Sequence, residues 1–262
     1  HVSCIDSPRV ADDFVEDMKK RYGEDSPAYH VRVLGNFPPS EEDTVIPVSL
    51  IEHAFNNVIK VHDDTPAVWG LDVARQGGDS SVLCKRQGPM IHPLTVWRNL
   101  DLMQLSGAVK AEYDNMPVSR KPAEIIIDSN GFGAGVLDRL RELGLPARGL
   151  NVSERAVAKQ TYLNLRAELW FKCKSWLEGM DVSLPKDDAL YAELAGPRYM
   201  FTSSGKIQVE SKESMKKRGI RSPDRADALC LALANDHTTM AFGASSAGSW
   251  AKPLRRGIRG VV

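Results

Sequence analysis

A mixed central sheet flanked by helices, an α/β fold, is predicted from the kinds of segment in this sequence and from their order. Short apolar runs end in polar turns, as at residues 67–73 (AVWGLDV) and 123–127 (AEIII). Other segments carry helical spacing, as at residues 101–115 with Leu102, Leu105 and Val109. Strands come first and then alternate with helices, which places helices on both faces of one sheet.

Taken in order, residues 11–22 (ADDFVEDMKKRY) suit a short amphipathic helix, with acids early and bases late as the helix dipole favours. Residues 35–43 (GNFPPSEED) are turn-rich and charged, a linker. Residues 48–60 suggest a helix. Residues 67–73 form the first core strand, followed by a turn at 75–79 (RQGGD). Residues 80–86 and 90–98 read as two further strands joined at Gln87-Gly88-Pro89. The strand at 123–127 ends at Asp128 and runs into a glycine-rich turn (SNGFGAG), a helix at 136–143 and a strand at 147–150. Residues 155–178 suit one long helix, with Leu163, Leu165, Leu169 and Trp170 as its apolar surface. Residues 198–202 and 206–209 flank Ser203-Ser204-Gly205 as a hairpin. Residues 212–218 form a basic helical turn. Ser222 suits an N-cap and Pro223 a first helical position for a last helix reaching about Asn235. From residue 241 a Gly/Ser-rich tail ends in bases.

The chain has 262 residues, 42% hydrophobic and 26% charged, enough to bury a substantial core. This excludes a disordered chain and a disulfide-held miniprotein. No apolar run approaches the roughly 20 residues that span a bilayer, so a soluble protein without membrane contact is expected. The 34 bases and 34 acids balance, but unevenly along the chain. Residues 1–43 carry ten acids and five bases, and Lys252, Arg255, Arg256 and Arg259 crowd the last eleven residues. Cys4, Cys84, Cys173 and Cys230 are widely separated, which reads as reduced, intracellular and not a zinc site. The start at His1 suggests a piece of something larger.

Three acidic positions carry the chemistry. Asp72 and Asp128 end strands, and Asp227 lies in the last helix with Asp224 on the same side, three residues earlier. Ligands of open α/β sheets bind at the carboxyl ends of strands. Clustered carboxylates repel unless cations hold them. Mg²⁺ takes oxygen ligands, and two ions about 3.5–4 Å apart suit phosphodiester hydrolysis. Each acid has a simpler reading as a turn or cap residue. Asp227 resists it, because the apolar ALCLALA follows it and a partly buried acid wants a partner or a metal. The glycine turn at Gly131, Gly133 and Gly135 is GxGxG with an acid before it, a poor pyrophosphate site. No GxxxxGK[ST] occurs, so ATP hydrolysis by this chain alone is not expected.

Three segments in order resemble the nuclease part of tailed-bacteriophage large terminases: WGLDVARQGGDSSVL (69–83), EIIIDSNGFGAGVLDRL (124–140) and GKIQVESKESMKKRGIRSPDRADALCLALA (205–234). The match of order and spacing extends over roughly residues 65–236. Residues 32–38 (RVLGNFP) resemble the exit from that family's ATPase domain. The resemblance implies a ribonuclease H-like fold of the resolvase type and a division into three parts. These are a remnant of the ATPase exit and linker (1–43), the nuclease domain (44–240) and a flexible basic tail (241–262).

It further implies a metal-dependent endonuclease that cuts double-stranded concatemeric DNA during genome packaging. Cleavage would be in line and leave a 5′-phosphate and a 3′-hydroxyl. Two divalent cations, Mg²⁺ or Mn²⁺, are implied, with Asp72 bridging both, Asp128 holding one and Asp227 the other. Asp224 is an auxiliary ligand or an acid of the first helical turn. Asp79 supports its turn or a water on the metal, or only caps the turn. Lys206, Lys212, Lys216, Lys217, Arg218 and Arg221 would meet DNA phosphates, which positions DNA without reading sequence. The ATPase domain, the small terminase subunit and the portal protein are the implied partners. The implied place is the host cytoplasm, with no retention in the mature virion. Two rivals share this fold: a DNA clamp in the packaging motor that no longer holds metal, and a Holliday-junction resolvase or transposase. Trp69, Trp97, Trp170 and Trp176 read as core, and the six histidines are scattered without ligand spacing.

Overall fold

The structure is a computed structural model and describes residues 3–8, 10, 12–22, 29, 33–35, 43–74 and 79–234. In chain order the principal elements are α1 (Asp12–Tyr22), α2 (Val48–Asn56), β1 (Ala67–Asp72), β2 (Ser81–Gln87), β3 (Met90–Ile91), β4 (Thr95–Trp97) and α3 (Leu102–Asp114). They continue with β5 (Pro122–Asp128), α4 (Phe132–Glu142), β6 (Ala147–Leu150), α5 (Leu165–Glu178) and α6 (Asp188–Ala195). The last are β7 (Tyr199–Phe201), β8 (Ile207–Val209), α7 (Lys212–Lys217) and α8 (Asp224–Ala232).

The main sheet runs β3-β2-β1-β5-β6, with β4 also paired to β2. β1 meets β2 antiparallel and β5 parallel, and β6 extends the parallel side, so the sheet is mixed as the sequence order predicts. β1 is buried at every residue, as a central strand covered on both faces must be. Its side chains alternate. Trp69 and Leu71 pack with Leu105 and Val109 of α3 and with Val136 and Leu140 of α4. Val68 faces the other way, onto Ile126 and Leu231. A larger core joins α2, α5, α6 and α8 through Ile51, Trp170, Leu177, Leu190, Leu194 and Leu229. Each such side chain, fully buried, contributes about 1.5–3 kcal/mol. Met18, Tyr29 and Val33 of the N-terminal segment belong to this same core.

Gly70 sets how closely α8 crosses β1. A Cβ at this position would lie 2.1 Å from the Ala228 carbonyl oxygen and 2.4 Å from the Ala232 nitrogen. Arg86 reinforces the crossing from the neighbouring strand. Fully buried, it donates through Nε to the Ala232 carbonyl at 2.8 Å, closing the C-terminal end of α8.

Several element boundaries differ from the sequence expectation, each for a local reason. Residues 90–98 split into β3 and β4, because Pro93 has no N–H to offer a ladder. The long helix begins at Leu165 rather than residue 155, since the Asn164 side chain accepts from the Ala167 N–H and caps it there. The helix after Asp128 begins at Phe132, four residues early, with Gly131 at φ 56° making the turn into it. α6, capped by Asp187, was not foreseen. The last helix starts at Asp224 after Pro223, with no side-chain cap from Ser222. Most of the 35–43 linker, the turn residues 75–78 and the tail from residue 241 with its four bases lie outside the described residues. Among the described residues no helix is long and apolar enough to cross a membrane.

Candidate metal centre

The parallel pairing of β1 with β5 matches Leu71 with Ile127, so Asp72 and Asp128 end their strands side by side. On the other face, the close crossing at Gly70 brings the first turn of α8, with Asp224 and Asp227, over the same strand ends. Lys212, the first residue of α7, enters from the side. Its Nζ lies 3.0 Å from Asp227 Oδ2, 3.7 Å from Asp72 Oδ2 and 3.8 Å from Asp224 Oδ1. Asp72, Asp128, Asp227, Lys212, Arg166 and Trp170 line one cavity of about 60 Å³. A larger groove of about 640 Å³ lies elsewhere, beside the Arg225 ion pairs with Asp187 and Glu193. Two of its three carboxylates, Asp187 and Glu193, are already committed to Arg225, so chemistry rather than size singles out the smaller cavity.

Three of the four acids are individually anchored by hydrogen bonds. Trp170 Nε1–H donates to Asp227 Oδ1 at 3.0 Å, the Ser80 N–H donates to Asp224 Oδ2 at 2.9 Å, and the Asn130 N–H donates to Asp128 Oδ1 at 3.2 Å. Burial pushes the Asp72 carboxyl up to about 7, Lys212 pulls it down, and Asp227, Asp224 and Asp128 push it up again. Burial likewise holds Asp128 and Asp224 above the usual carboxylate range. Asp227 goes the other way. Burial opposes its charge, but the Arg166 guanidinium and the Lys212 ammonium outweigh that and hold it below the usual range. Burial would also discharge Lys212, yet Asp227, Asp72 and Asp224 hold it protonated well past its ordinary value.

The donor set is all carboxylate, the chemistry that Mg²⁺ and Mn²⁺ prefer. Among the described residues, no three acidic, histidine or cysteine side chains are placed to hold one ion together. Three of the carboxylates instead surround the Lys212 ammonium, a cation standing where their charge needs one. The residues therefore fit divalent ions in kind and in charge, with Lys212 compensating part of the acid excess. Lys212→Ala should then lower the melting temperature in EDTA at neutral pH by about 2–4 °C. Mn²⁺ should restore it by more than it raises wild type. An unchanged melting temperature in EDTA would show that the ammonium does not neutralise the cluster.

The other residues named from the sequence divide. Asp79 is exposed beside Ser80, and its charge pushes the Asp224 carboxyl further up. Lys216 and Lys217 are exposed on α7, and Lys206 lies half-buried at the hairpin. Arg221 is exposed and lines the larger groove. Arg218 is engaged within the protein. Its Nε donates to Glu210 Oε1 at 2.9 Å and its Nη2 to Glu210 Oε2 and to the Gly196 carbonyl, which leaves little of its fork for a phosphate. Lys212 turns its ammonium to the carboxylates while its side chain stays 41% exposed. Two participants escaped the sequence reading: Trp170, taken as core alone, and Arg166, whose Nε lies 3.6 Å from Asp227 Oδ1. Their i, i+4 spacing on α5 was the available signal, but nothing local says what that face meets.

No family model matches the chain. It is 25% identical over 243 residues to a probable terminase large subunit of Enterobacteria phage P7, a match covering 87% of this chain and 49% of that protein. The chain thus spans about half the length of that curated relative. In fold it is similar to the nuclease domain of the large terminase subunit gp2 of bacterial virus Sf6, with a TM-score of 0.61 at 20% identity, covering 72% of this chain and 98% of that one. It is also similar to the large terminase nuclease from thermophilic phage G20c with bound magnesium, with a TM-score of 0.56 at 18% identity, covering 74% and 98%. In sequence the chain resembles a phage terminase large subunit, and in fold it resembles terminase nuclease domains, with the ribonuclease H-like mixed sheet that the sequence predicts.

Proposed function

We propose that the chain is a metal-dependent endonuclease of a phage packaging motor, cutting double-stranded DNA with little regard to sequence. One observation carries this reading: carboxylates from two adjacent strand ends and one helix gather in a cavity with a lysine ammonium in their midst. The relatives support it, since nuclease domains of this fold have been seen with manganese and with magnesium.

Asp72, Asp128 and Asp227 would hold two ions, Asp72 shared between them, with Asp224 as an auxiliary ligand. Bound ions would supply a deprotonated water and neutralise the phosphate's developing charge. The chain's own groups prepare the site. Trp170 and Ser80 fix the carboxylates they bond, and Asp128 is steadied by its own turn. Lys212, which now faces Asp227, Asp72 and Asp224, would hold its ammonium beside the bound ions and could turn it to a phosphate oxygen. Lys206, Lys216, Lys217 and Arg221 would contact the backbone of the duplex further out, so binding should weaken steeply with salt.

Residues 44–240 would be the catalytic unit. The ATPase domain, the small terminase subunit and the portal would be its partners in the host cytoplasm. Incubating supercoiled plasmid with the whole chain tests this. Nicked and linear products are expected with Mn²⁺ or Mg²⁺ and none with EDTA. Salt-sensitive DNA binding with no cutting in any metal would favour the clamp, and a marked preference for four-way junctions would favour the resolvase.

A further inference from the structure

Arg166 stands outside every residue set read from the sequence. It is the second residue of α5, and its Nη1 donates to the Glu210 carbonyl at 2.7 Å, two residues before Lys212. Its Nε and Nη2 are buried and without hydrogen-bond partners. Leaving donors unpaired in the interior is costly, so a fold that keeps them there needs a reason. The nearest acid is Asp227, whose Oδ1 lies 3.6 Å from Nε, just beyond hydrogen-bond length. That oxygen already accepts from Trp170, one turn along the same helix, while Oδ2 faces the Lys212 ammonium. The two oxygens of Asp227 are thus divided: Oδ1 belongs to α5 and Oδ2 to the cavity. A small movement of the carboxylate toward α5 completes the Arg166 bond.

We infer that Arg166 is a positioning residue for the metal centre. With Trp170 it holds Asp227 by Oδ1 and turns Oδ2 toward the cation. Through the Glu210 carbonyl it ties that hold to the turn that carries Lys212. The inference rests on the reading of Asp227 as a metal ligand.

Charge alone makes the opposite prediction. Removing one cation beside the site should let another bind more tightly, because their repulsion is gone. Weaker metal binding after loss of Arg166 therefore reports orientation. Mn²⁺ is titrated calorimetrically into the whole chain without DNA, using wild type, Arg166→Gln, Arg166→Lys and Asp227→Asn, with circular dichroism to establish folding. Arg166→Gln is expected to weaken Mn²⁺ binding about tenfold, the lower end of what support of a metal ligand is worth. Arg166→Lys, which keeps the charge but loses the fork, should fall between it and wild type. Folded Arg166→Gln that binds Mn²⁺ as well as or better than wild type, beside a weakened Asp227→Asn, overturns the role of Arg166 alone. Wild-type binding by Asp227→Asn removes the ligand reading beneath it. Should Arg166→Gln not fold, unchanged Mn²⁺ affinity in folded Arg166→Lys overturns the inference.

Discussion

Asp72→Asn should abolish plasmid cleavage in Mn²⁺ or Mg²⁺, a loss of at least about a thousandfold, while making the metal-free protein more stable. The two effects have one cause. Asp72 ends the central strand among three other acids, buried and held up to about 7. A carboxyl whose folded value lies above its unfolded value favours the folded state only while protonated. Its contribution is therefore complete below the ordinary value of 3.8 and is lost as pH rises through about 7. Above neutrality an ionised Asp72 works against folding, and a neutral amide of the same shape does not. In EDTA the variant's melting temperature should exceed wild type at mildly alkaline pH, and the gain should vanish near the ordinary carboxylate value. Thermal melts across that range, beside plasmid digestion, separate the lost ligand from a damaged fold. Retained cleavage would remove Asp72 from the site, and a lower alkaline melting temperature would show that its charge is not a burden.

Gly70→Ala carries the largest expected cost in stability. The added Cβ meets backbone atoms of Ala228 and Ala232, which have no rotamer to escape by. Strand and helix must separate, and overpacking against backbone should cost about 3 kcal/mol, the upper end of the usual range. The separation also carries Asp224 and Asp227 away from Asp72 and Asp128, so any folded variant should bind Mn²⁺ poorly. Soluble yield, melting temperature and Mn²⁺ calorimetry check this. A stable protein with wild-type Mn²⁺ affinity would mean that α8 does not cross where it is placed.

The site was legible to the extent that it lies at element ends. Asp72 and Asp128 close apolar strands, and strands announce themselves by composition and by the turns that follow them. Asp224 and Asp227 share a helix face at fixed spacing. The basic run was legible as a run but not residue by residue. Lys212 turns to the carboxylates and Arg218 locks onto Glu210, whereas Lys216 and Lys217 are exposed. Which way a charged side chain turns depends on what lies across from it, and those partners are distant in sequence.

By itself the sequence determined the order of most strands and helices, α6 and the division of β3 from β4 apart, the mixed sheet that this order requires, and the acids that stand at strand ends. These follow from local properties: periodicity, turn chemistry and chain order. Only the tertiary structure decided that a missing Cβ at Gly70 lets α8 approach the sheet, that Lys212 supplies the charge among the acids, and that Arg166 and Trp170 stand behind Asp227. Packing distance and electrostatic compensation belong to pairs of residues far apart in the chain, and such pairs meet only when the chain is folded.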